Sequence, residues 1–340
     1  MKRPQYGSWF IKATLMSAML LNAWTPFGAV AAQDERATPE RPGRRASVGT
    51  TASEWHESAR SDKYTGGRIE RAALVEGDPN IEITVDVPAF RLTLWQDGRE
   101  VKTYPVGVGM KEFPIVIGER QASEVIWNPA WIPPASDWVR EMPGVTAGEI
   151  IKASDKRNPL GKVKIPLGGG YLIHQAKGVA DLGHLVSHGC VRMLRTDLYD
   201  LAEKITAAYA WPVSAKQIAR AKLSTKTLAA KLDTPLSVDI NYDTHVVEGG
   251  VLYIYPDVYD RGTNTVARLR AELESSGVDV SNLDERTLRR MLARAGAGQK
   301  FAVEVSSIEQ GRALADGRLL PLVGQPTRKR TVTKARATRR

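Results

Sequence analysis

The alternating segment 81–87 is the feature that most constrains what this 340-residue chain can fold into. Its apolar residues occupy every second position, which is the period of a strand with one buried face. Two further apolar runs, 92–95 and 101–104, flank the pair Asp97-Gly98, and Asp-Gly between two strands is a strong hairpin signal. A strand followed at once by a hairpin predicts an antiparallel sheet.

Strand-like segments recur along the chain, while helical spacing is less frequent. The further strands are expected at 171–174, 236–240 and 251–255, and the helices at 197–205, 215–232, 263–276 and 283–295. Many strands with few helices predict a mainly β fold, of the β or the α+β type, with a small helical C-terminal extension.

The first 32 residues have the features of a secretory signal peptide. Lys2, Arg3 and Lys12 precede or open a short apolar stretch at 13–23, and Ala29-Val30-Ala31 offers a small-x-small cleavage site. The apolar stretch is shorter than the about 20 residues that a membrane span needs. We therefore expect a cleaved signal peptide and a periplasmic or otherwise extracytoplasmic protein, with an uncleaved anchor as the alternative.

The remaining chain divides by composition into four parts. We expect a flexible linker at 33–80, a catalytic domain at 81–260 that contains a helical insert at about 206–232, a helical accessory region at 261–326 and a basic tail at 327–340. The linker is assigned because it is poor in large apolar residues.

The chain is basic, and its charge is concentrated at the C-terminus. The net charge is +10, and removal of the three basic residues of the signal peptide would lower it to +7. The tail 327–340 holds seven Lys or Arg and no acidic residue. It is interpreted either as a solvated tail or as a segment that binds an anionic envelope surface. Nucleic acid is not expected as a partner, since no recognised binding motif is present.

Cys190 is the one cysteine of the chain, so it cannot form an internal disulfide. It lies in Ser187-His188-Gly189-Cys190-Val191-Arg192-Met193, and His174 lies sixteen residues upstream. An imidazole beside a thiol can take its proton and leave a nucleophile on sulfur. We therefore interpret Cys190 as a catalytic nucleophile.

The residues around Cys190 suggest supporting roles. His188 would share a face with Cys190 if the segment were extended, and His174 reaches the thiol only if its strand runs beside the cysteine segment. Gly189 lets a carbonyl approach closely, and the amides of Gly189 and Cys190 could stabilise an oxyanion. Arg192 could hold a substrate carboxylate or orient the cysteine segment.

The segment 125–142 carries three Trp among several Pro, which predicts an irregular wall with aromatic faces. It is either surface packing or a substrate-lining wall. Trp127, Trp131 and Tyr171 are the candidate substrate-binding residues.

With His174 and twelve intervening residues before Ser-His-Gly-Cys-Val-Arg-Met, the chain resembles the L,D-transpeptidase catalytic domain (YkuD) family. Flanking matches are Tyr104–Gly109, Asn158–Gly161 and Tyr253–Tyr259. The resemblance implies a β-sandwich or barrel domain in which Cys190 is acylated and His174 is the general base. Ser187, His188, Gly189 and Arg192 would support the oxyanion region.

The resemblance also implies the reaction. Cys190 would attack the L,D-peptide bond of a peptidoglycan stem tetrapeptide, release D-Ala and transfer the acyl group to an amine. The amine is either a second stem, giving a 3–3 cross-link, or the lysine of an envelope protein. No metal or organic cofactor is called for, and sensitivity to carbapenems is implied.

Two departures from the family pattern are visible. Phe113-Pro114 stands where family members often have Thr-Pro, which affects the rim of the cleft more than its chemistry. The helical insert at about 206–232 is the second departure, and it could reshape the acceptor side.

Four other interpretations remain open. The same residues would make an L,D-carboxypeptidase if water were the acceptor. The fold could serve a catalytically silent cell-wall-binding protein. Cys190 could be a buried structural residue, or His184, His188 and Cys190 could hold a metal, although a fourth ligand is not evident. His56 and His245 are treated as incidental.

Overall fold

The structure is a computed structural model that describes residues 80–210, 212–296 and 298–323. The signal peptide, the linker up to residue 79 and the basic tail all lie outside the described residues. Within the described part of the chain, no helix combines the length and the apolarity needed to cross a membrane.

The main sheet and its small companion contain the first ten strands. These are β1 Ile81–Asp86, β2 Arg91–Gln96, β3 Arg99–Pro105, β4 Val108–Gly109, β5 Gly118–Trp127, β6 Val163–Pro166, β7 Leu172–Gln175, β8 Leu185–Ser187, β9 Val191–Met193 and β10 Leu228–Asn241. Three helices accompany them: α1 Asp137–Arg140, α2 Arg195–Tyr209 and α3 Ala215–Leu223. The alternating segment and the Asp-Gly hairpin are thereby confirmed as β1, β2 and β3.

Eight strands form one mixed sheet in the order β3-β2-β1-β10-β5-β6-β7-β9. The neighbours β1 and β10 are parallel, as are β7 and β9, and the other pairs are antiparallel. Strands β4 and β8 pair separately in parallel. Strands β7 and β9 therefore lie side by side at one edge of the sheet.

The main sheet nearly closes on itself through Gly107 and Arg192. The Gly107 amide donates to the Arg192 carbonyl at 2.9 Å, and the Arg192 amide donates back at 2.8 Å. Gly107 lies two residues after the end of β3, while Arg192 lies on β9 at the opposite edge of the sheet. A Cβ at position 107 would come within 2.3 Å of the Asp181 carbonyl oxygen, so this close approach requires glycine. The mainly β, barrel-like expectation is confirmed.

Alternating side chains of the strands build the main core. Ile83, Val85 and Leu92 are fully or almost fully buried there, and Leu201 and Ile205 of α2 pack onto the same cluster. Burial of such side chains contributes roughly 1.5–3 kcal/mol each. The strands that carry the cysteine motif are thus fixed to a rigid scaffold.

A second, four-stranded sheet has its own core. Its strands are β11 His245–Glu248, β12 Val251–Ile254, β13 Gln299–Glu304 and β14 Arg318–Pro321, and its helices are α4 Val266–Ser275, α5 Glu285–Leu292, α6 Val305–Glu309 and α7 Ala313–Asp316. Neighbours in the order β11-β12-β13-β14 are antiparallel. Leu252, Leu269, Leu288 and Phe301 are fully buried in this core.

This second sheet corrects two expectations. The region 261–326 is not purely helical, because β13 and β14 lie within it alongside the two expected helices, α4 and α5. The strands β11 and β12, expected to complete the catalytic domain, pair instead with β13 and with each other. The four strands of the second sheet therefore come from both sides of residue 260.

The expected helical insert at 206–232 is only partly helical. Helix α3 ends at Leu223, and residues from Leu228 onward begin β10, which pairs with β5. The Ala-, Lys- and Leu-rich sequence has good helix propensity, but pairing with β5 overrides it.

A polar cluster, in which Asp86 is the buried member, joins the two sheets. Arg91, at the start of β2, donates to Glu248 of β11 at 2.9 Å and lies 3.7 Å from Asp86 at the end of β1. Burial raises the pKa of Asp86 to about 7, although the Arg91 charge opposes the shift. The cost of burying this carboxylate makes the junction sensitive to pH.

Candidate active site

The thiol of Cys190 lies where two strands of the main sheet run side by side. Cys190 occupies the turn between β8 and β9, and it is partly buried. The backbone amide of Leu172, at the start of β7, lies near the sulfur and opposes the rise in its pKa. The cysteine motif is therefore held against the strand that carries His174.

His174 faces the same side of β7 as Leu172. Strands β7 and β9 are parallel, with Ile173 opposite Val191 and His174 opposite Arg192. Side chains alternate along a strand, so Ile173 enters the main core while Leu172 and His174 share the other face. The sequence analysis required the strand of His174 to run beside the cysteine segment, and β7 does so.

Burial favours the neutral forms of the Cys190 thiol and the His174 imidazole. It raises the pKa of the Cys190 thiol, while the Leu172 amide and the Arg192 charge oppose that shift. It also lowers the pKa of His174 to about 3, and the Arg192 charge adds to that effect. The side chain of His174 is 4% exposed, and its Nδ1 has no hydrogen-bond partner among the described residues. His174 is therefore a neutral imidazole whose Nδ1 is not engaged by the described part of the protein.

Arg192 forms an ion pair with Asp181. Its Nη1 lies 3.3 Å from Asp181 Oδ2, and both side chains are largely buried. Asp181 also accepts the Lys177 amide at 2.8 Å. Together with the Gly107 backbone bridge, this pair makes Arg192 an orienting residue of the cysteine segment, the second of the two roles expected for it.

Gly189 forms a sharp turn that the extended-segment expectation did not include. Its φ is +102°, a conformation that favours glycine, and an added Cβ would lie 2.8 Å from Cε1 of Tyr171. The expectation that His188 and Cys190 share the face of an extended strand is therefore wrong. Ser187 stabilises the turn, since its Oγ donates to the Cys190 carbonyl at 2.5 Å.

The imidazole of His188 packs between two aromatic rings. Trp138 stacks on its imidazole with centroids 4.2 Å apart, and Phe113 meets it edge-on at 4.7 Å. Trp131 lies behind, stacked on Trp138 at 6.3 Å. Phe113 is 39% exposed, so this aromatic layer reaches the surface beside the thiol.

The three candidate substrate-binding residues lie in different parts of the structure. Trp127 is fully buried in the main core, so its expected substrate contact is wrong. Trp131 is buried beneath Trp138, whereas Tyr171 lies against the Gly189 turn. Sequence reasoning grouped Trp138 with the Pro-rich wall but did not pair it with His188, since nothing in a single sequence joins a loop tryptophan to a histidine fifty residues later.

Tyr259 supports the loop that carries Phe113. Its hydroxyl donates to the Gly109 carbonyl at 3.0 Å and accepts the Ile115 amide at 3.3 Å. A Cβ on Gly109 would come within 2.2 Å of the Phe113 carbonyl oxygen and 3.0 Å of the Gly189 Cα. Tyr259, which lies five residues after β12, therefore fixes a loop that packs directly on the Gly189 turn.

Within the described residues, no group of three or more His, Cys, Asp or Glu side chains is arranged to hold a metal ion. Of the three residues considered for a metal, His188 is stacked on Trp138, and His184 Nδ1 lies 2.8 Å from the Leu182 carbonyl oxygen.

Comparison with known proteins identifies the domain that carries this site. Residues 80–232 match the model of the L,D-transpeptidase catalytic domain, YkuD. The matched segment contains both Cys190 and His174.

The individual proteins that are similar to this chain are also named as L,D-transpeptidases. The chain is 27% identical over 150 residues to the probable L,D-transpeptidase YcfS of Escherichia coli (strain K12), which covers 41% of this chain and 45% of the relative. An L,D-transpeptidase structure from Mycobacterium smegmatis is 14% identical, with 48% of this chain and 59% of that one covered and a TM-score of 0.31. One from Stackebrandtia nassauensis is 15% identical, with 49% and 58% covered and a TM-score of 0.28. The chain thus spans less than half of the curated relative and under two thirds of these structures.

Proposed function

We propose that this protein is an exported L,D-transpeptidase that uses Cys190 as its nucleophile on peptidoglycan stem tetrapeptides. The observation that carries the proposal is the placement of Cys190 and His174 on adjacent segments of the matched domain, where β7 and β9 run side by side. Two neutral groups on one face of a rigid sheet are arranged for proton transfer during attack, rather than for a preformed ion pair.

In the first step, the sulfur of Cys190 attacks the carbonyl that joins the L centre of the third residue to the terminal D-Ala. His174 takes the thiol proton, and the oxyanion receives hydrogen bonds from the Gly189 and Cys190 amides, each worth about 3–4 kcal/mol. His174 then protonates the departing D-Ala amine, and a thioester remains on Cys190.

In the second step, an amine acceptor attacks the thioester carbonyl. His174 takes the proton from the amine and returns it to the departing sulfur, so the free thiol is restored. The acceptor is proposed to be a second stem peptide or a lysine of an envelope protein. No step in this sequence calls for a metal or an organic cofactor.

The first test is the intact-protein mass after incubation with a purified disaccharide-tetrapeptide. We expect an adduct equal to the donor minus D-Ala in the wild type, none in Cys190→Ala, and dimeric muropeptide among the products. Exposed Arg99 on the hairpin gives a matched control, since Arg99→Ala should form the adduct normally.

The other outcomes separate the alternatives. An adduct with only tripeptide product would make the protein an L,D-carboxypeptidase. Absence of an adduct with any donor, in protein that still binds sacculi, would favour the silent wall-binding protein and overturn the proposal.

Export and tail binding are separate proposals, supported by the sequence alone. A mature N-terminus near Gln33 in envelope extracts would support cleavage, whereas an intact N-terminus would indicate an anchor. Deletion of 327–340 should weaken sacculus or membrane binding at about 0.01 M salt far more than at about 0.15 M, because screening already weakens exposed charges at the higher salt. Unchanged binding after the deletion would refute docking by the tail.

A further inference from the structure

We propose that Arg120 is a specificity-determining residue that binds a carboxylate of the donor stem peptide. The inference rests on the proposed function, because it assigns a ligand group to the same site. It depends on three observations: the position of Arg120 against the cysteine turn, its lack of an acidic partner and the open space beside it.

Arg120 is connected to the cysteine turn through one aromatic ring. Its guanidinium carbon lies 5.0 Å from the centroid of the Tyr171 ring. The edge of the same ring faces Gly189, where an added Cβ would lie 2.8 Å from Tyr171 Cε1. The Tyr171 ring therefore lies between the Arg120 guanidinium and the Gly189 backbone, which is proposed to stabilise the oxyanion.

The guanidinium of Arg120 has no hydrogen bond or ion pair to any residue of the described chain. Glu119 is adjacent to Arg120 in β5 and lines the same cavity, but the structure shows no ion pair between the two side chains. In the pairing with β10, Arg120 lies opposite the buried Val238, whereas Glu119 lies opposite Asp239. A half-buried guanidinium without a carboxylate leaves its planar donors available.

Arg192, another cation near the site, provides the contrast. It is buried and paired with Asp181, so its charge is already committed within the protein. It is also the cation whose charge lowers the pKa of the Cys190 thiol, an effect to which Arg120 does not contribute.

Space for that ligand lies beside Arg120. A cavity of about 380 Å³ is lined by Glu119, Arg120, Gln121, Leu167 and Ser237. The glycine run that follows Leu167 bounds the same region, since a Cβ on Gly169 would lie 3.6 Å from Arg120 Nη1. Added Cβ atoms at Gly168 and Gly170 would meet nothing within 4 Å, so side chains do not fill this loop surface.

A carboxylate is the ligand chemistry that suits these features. It can accept two parallel hydrogen bonds from a guanidinium, and the stacked Tyr171 ring holds that guanidinium in a fixed plane. Within a donor stem, the carboxylate is either the terminal group of D-Ala or the side-chain group of the third residue. Loss of one charge-assisted interaction of this kind lowers a rate constant roughly 10- to 100-fold.

The experiment measures the second-order rate constant of thioester formation with three donors. One donor has both carboxylates free, one has D-alaninamide at its end, and one has the side-chain carboxylate of its third residue amidated. Wild type, Arg120→Ala and Arg120→Lys are compared, with Arg99→Ala as the control for loss of a surface cation. Alkylation of Cys190 by neutral iodoacetamide checks that each variant keeps a native thiol environment.

We expect Arg120→Ala to lower the rate constant roughly 10- to 100-fold with the free donor, and Arg120→Lys to lower it less. With the donor that lacks the recognised carboxylate, wild type and Arg120→Ala should react equally, and that donor identifies the group bound. An equal loss with all three donors, or no loss with any, would overturn the inference while the wild-type adduct still supports the proposed function. Failure of the wild type to form any adduct would instead overturn the proposed function, and this inference with it.

Discussion

The pH dependence of Cys190 alkylation tests whether the site holds a neutral pair or an ion pair. Burial raises the pKa of the thiol above its ordinary value of 9.0. It lowers the pKa of His174 to about 3. We therefore predict that alkylation by iodoacetamide accelerates about tenfold per pH unit between about pH 6 and 9, without a plateau at the acidic end.

The magnitudes follow from these directions. At pH 7 a thiol with a pKa above 9.0 is less than about 1% thiolate. An imidazole with a pKa of about 3 is protonated to the order of 10⁻⁴ at the same pH. Proton transfer from Cys190 to His174 must therefore accompany attack on the substrate rather than precede it.

The assay follows alkylation by intact mass from about pH 5 to 10 in the wild type and in His174→Ala. Since the imidazole is neutral throughout, His174→Ala should leave the alkylation profile nearly unchanged but slow thioester formation about 10²- to 10⁴-fold. An acidic plateau in the wild type that disappears in His174→Ala would show a thiolate–imidazolium pair and refute this reasoning.

Three further perturbations have defined outcomes. Gly189→Ala forces a side chain into a φ of +102° and against Tyr171, so we expect a loss of about 1–3 kcal/mol in the free energy of unfolding and a greater than about tenfold loss of thioester formation; native-like kinetics would contradict the turn geometry. Tyr259→Phe removes two hydrogen bonds to the loop beside Gly109, so urea unfolding should show a loss of about 1–2 kcal/mol, and kcat should fall more than KM rises; an unchanged kcat would exclude a positioning role. The folded-state pKa of about 7 for Asp86 exceeds its ordinary value of 3.8, so its protonated form favours folding below about pH 4 and this stability is lost as the pH rises through 7. Asp86→Asn should then gain up to about 4 kcal/mol at pH 8 and little at pH 4 in urea unfolding; equal pH slopes for the two proteins would contradict the raised pKa.

The parts of the fold that local signals determine were predictable from the sequence. Strand β1 was predicted by its alternation, and the hairpin of β2 and β3 by the Asp97-Gly98 turn. Helices α4 and α5 followed from apolar spacing, with their N-caps at Thr265 and Asp284. The candidate nucleophile and base were found because cysteine and histidine chemistry limits what a lone thiol beside an imidazole can do.

Long-range pairing was not predictable in the same way. The segment from Leu228 has the composition of a helix, and only its pairing with β5 makes it a strand. Strand β13 buries three consecutive residues, 301–303, so it lacks the alternation that would have separated it from a helix. The contacts of Trp138 with His188 and of Arg120 with Tyr171 depend on where loops and strand ends meet, which one sequence does not encode locally.

The family match ends at residue 232, but the site depends on residues beyond it. Strand β10 continues to Asn241, and its second half pairs with β1 in parallel. Tyr242 stacks on Tyr259 with centroids 5.6 Å apart and donates to Asp257 at 2.6 Å, and Asp257 in turn accepts the Arg261 amide at 2.9 Å.

This network holds the Tyr259 hydroxyl on the Gly109 loop, and the Gly109 loop packs on the Gly189 turn. A protein truncated after residue 241 would keep Cys190, His174 and all eight strands of the main sheet. It would nevertheless lose the contact that fixes Phe113 against His188. We therefore expect such a truncation to retain alkylation of Cys190 but to lose most thioester formation, and full thioester formation in that truncation would show that the second sheet has no part in shaping the site.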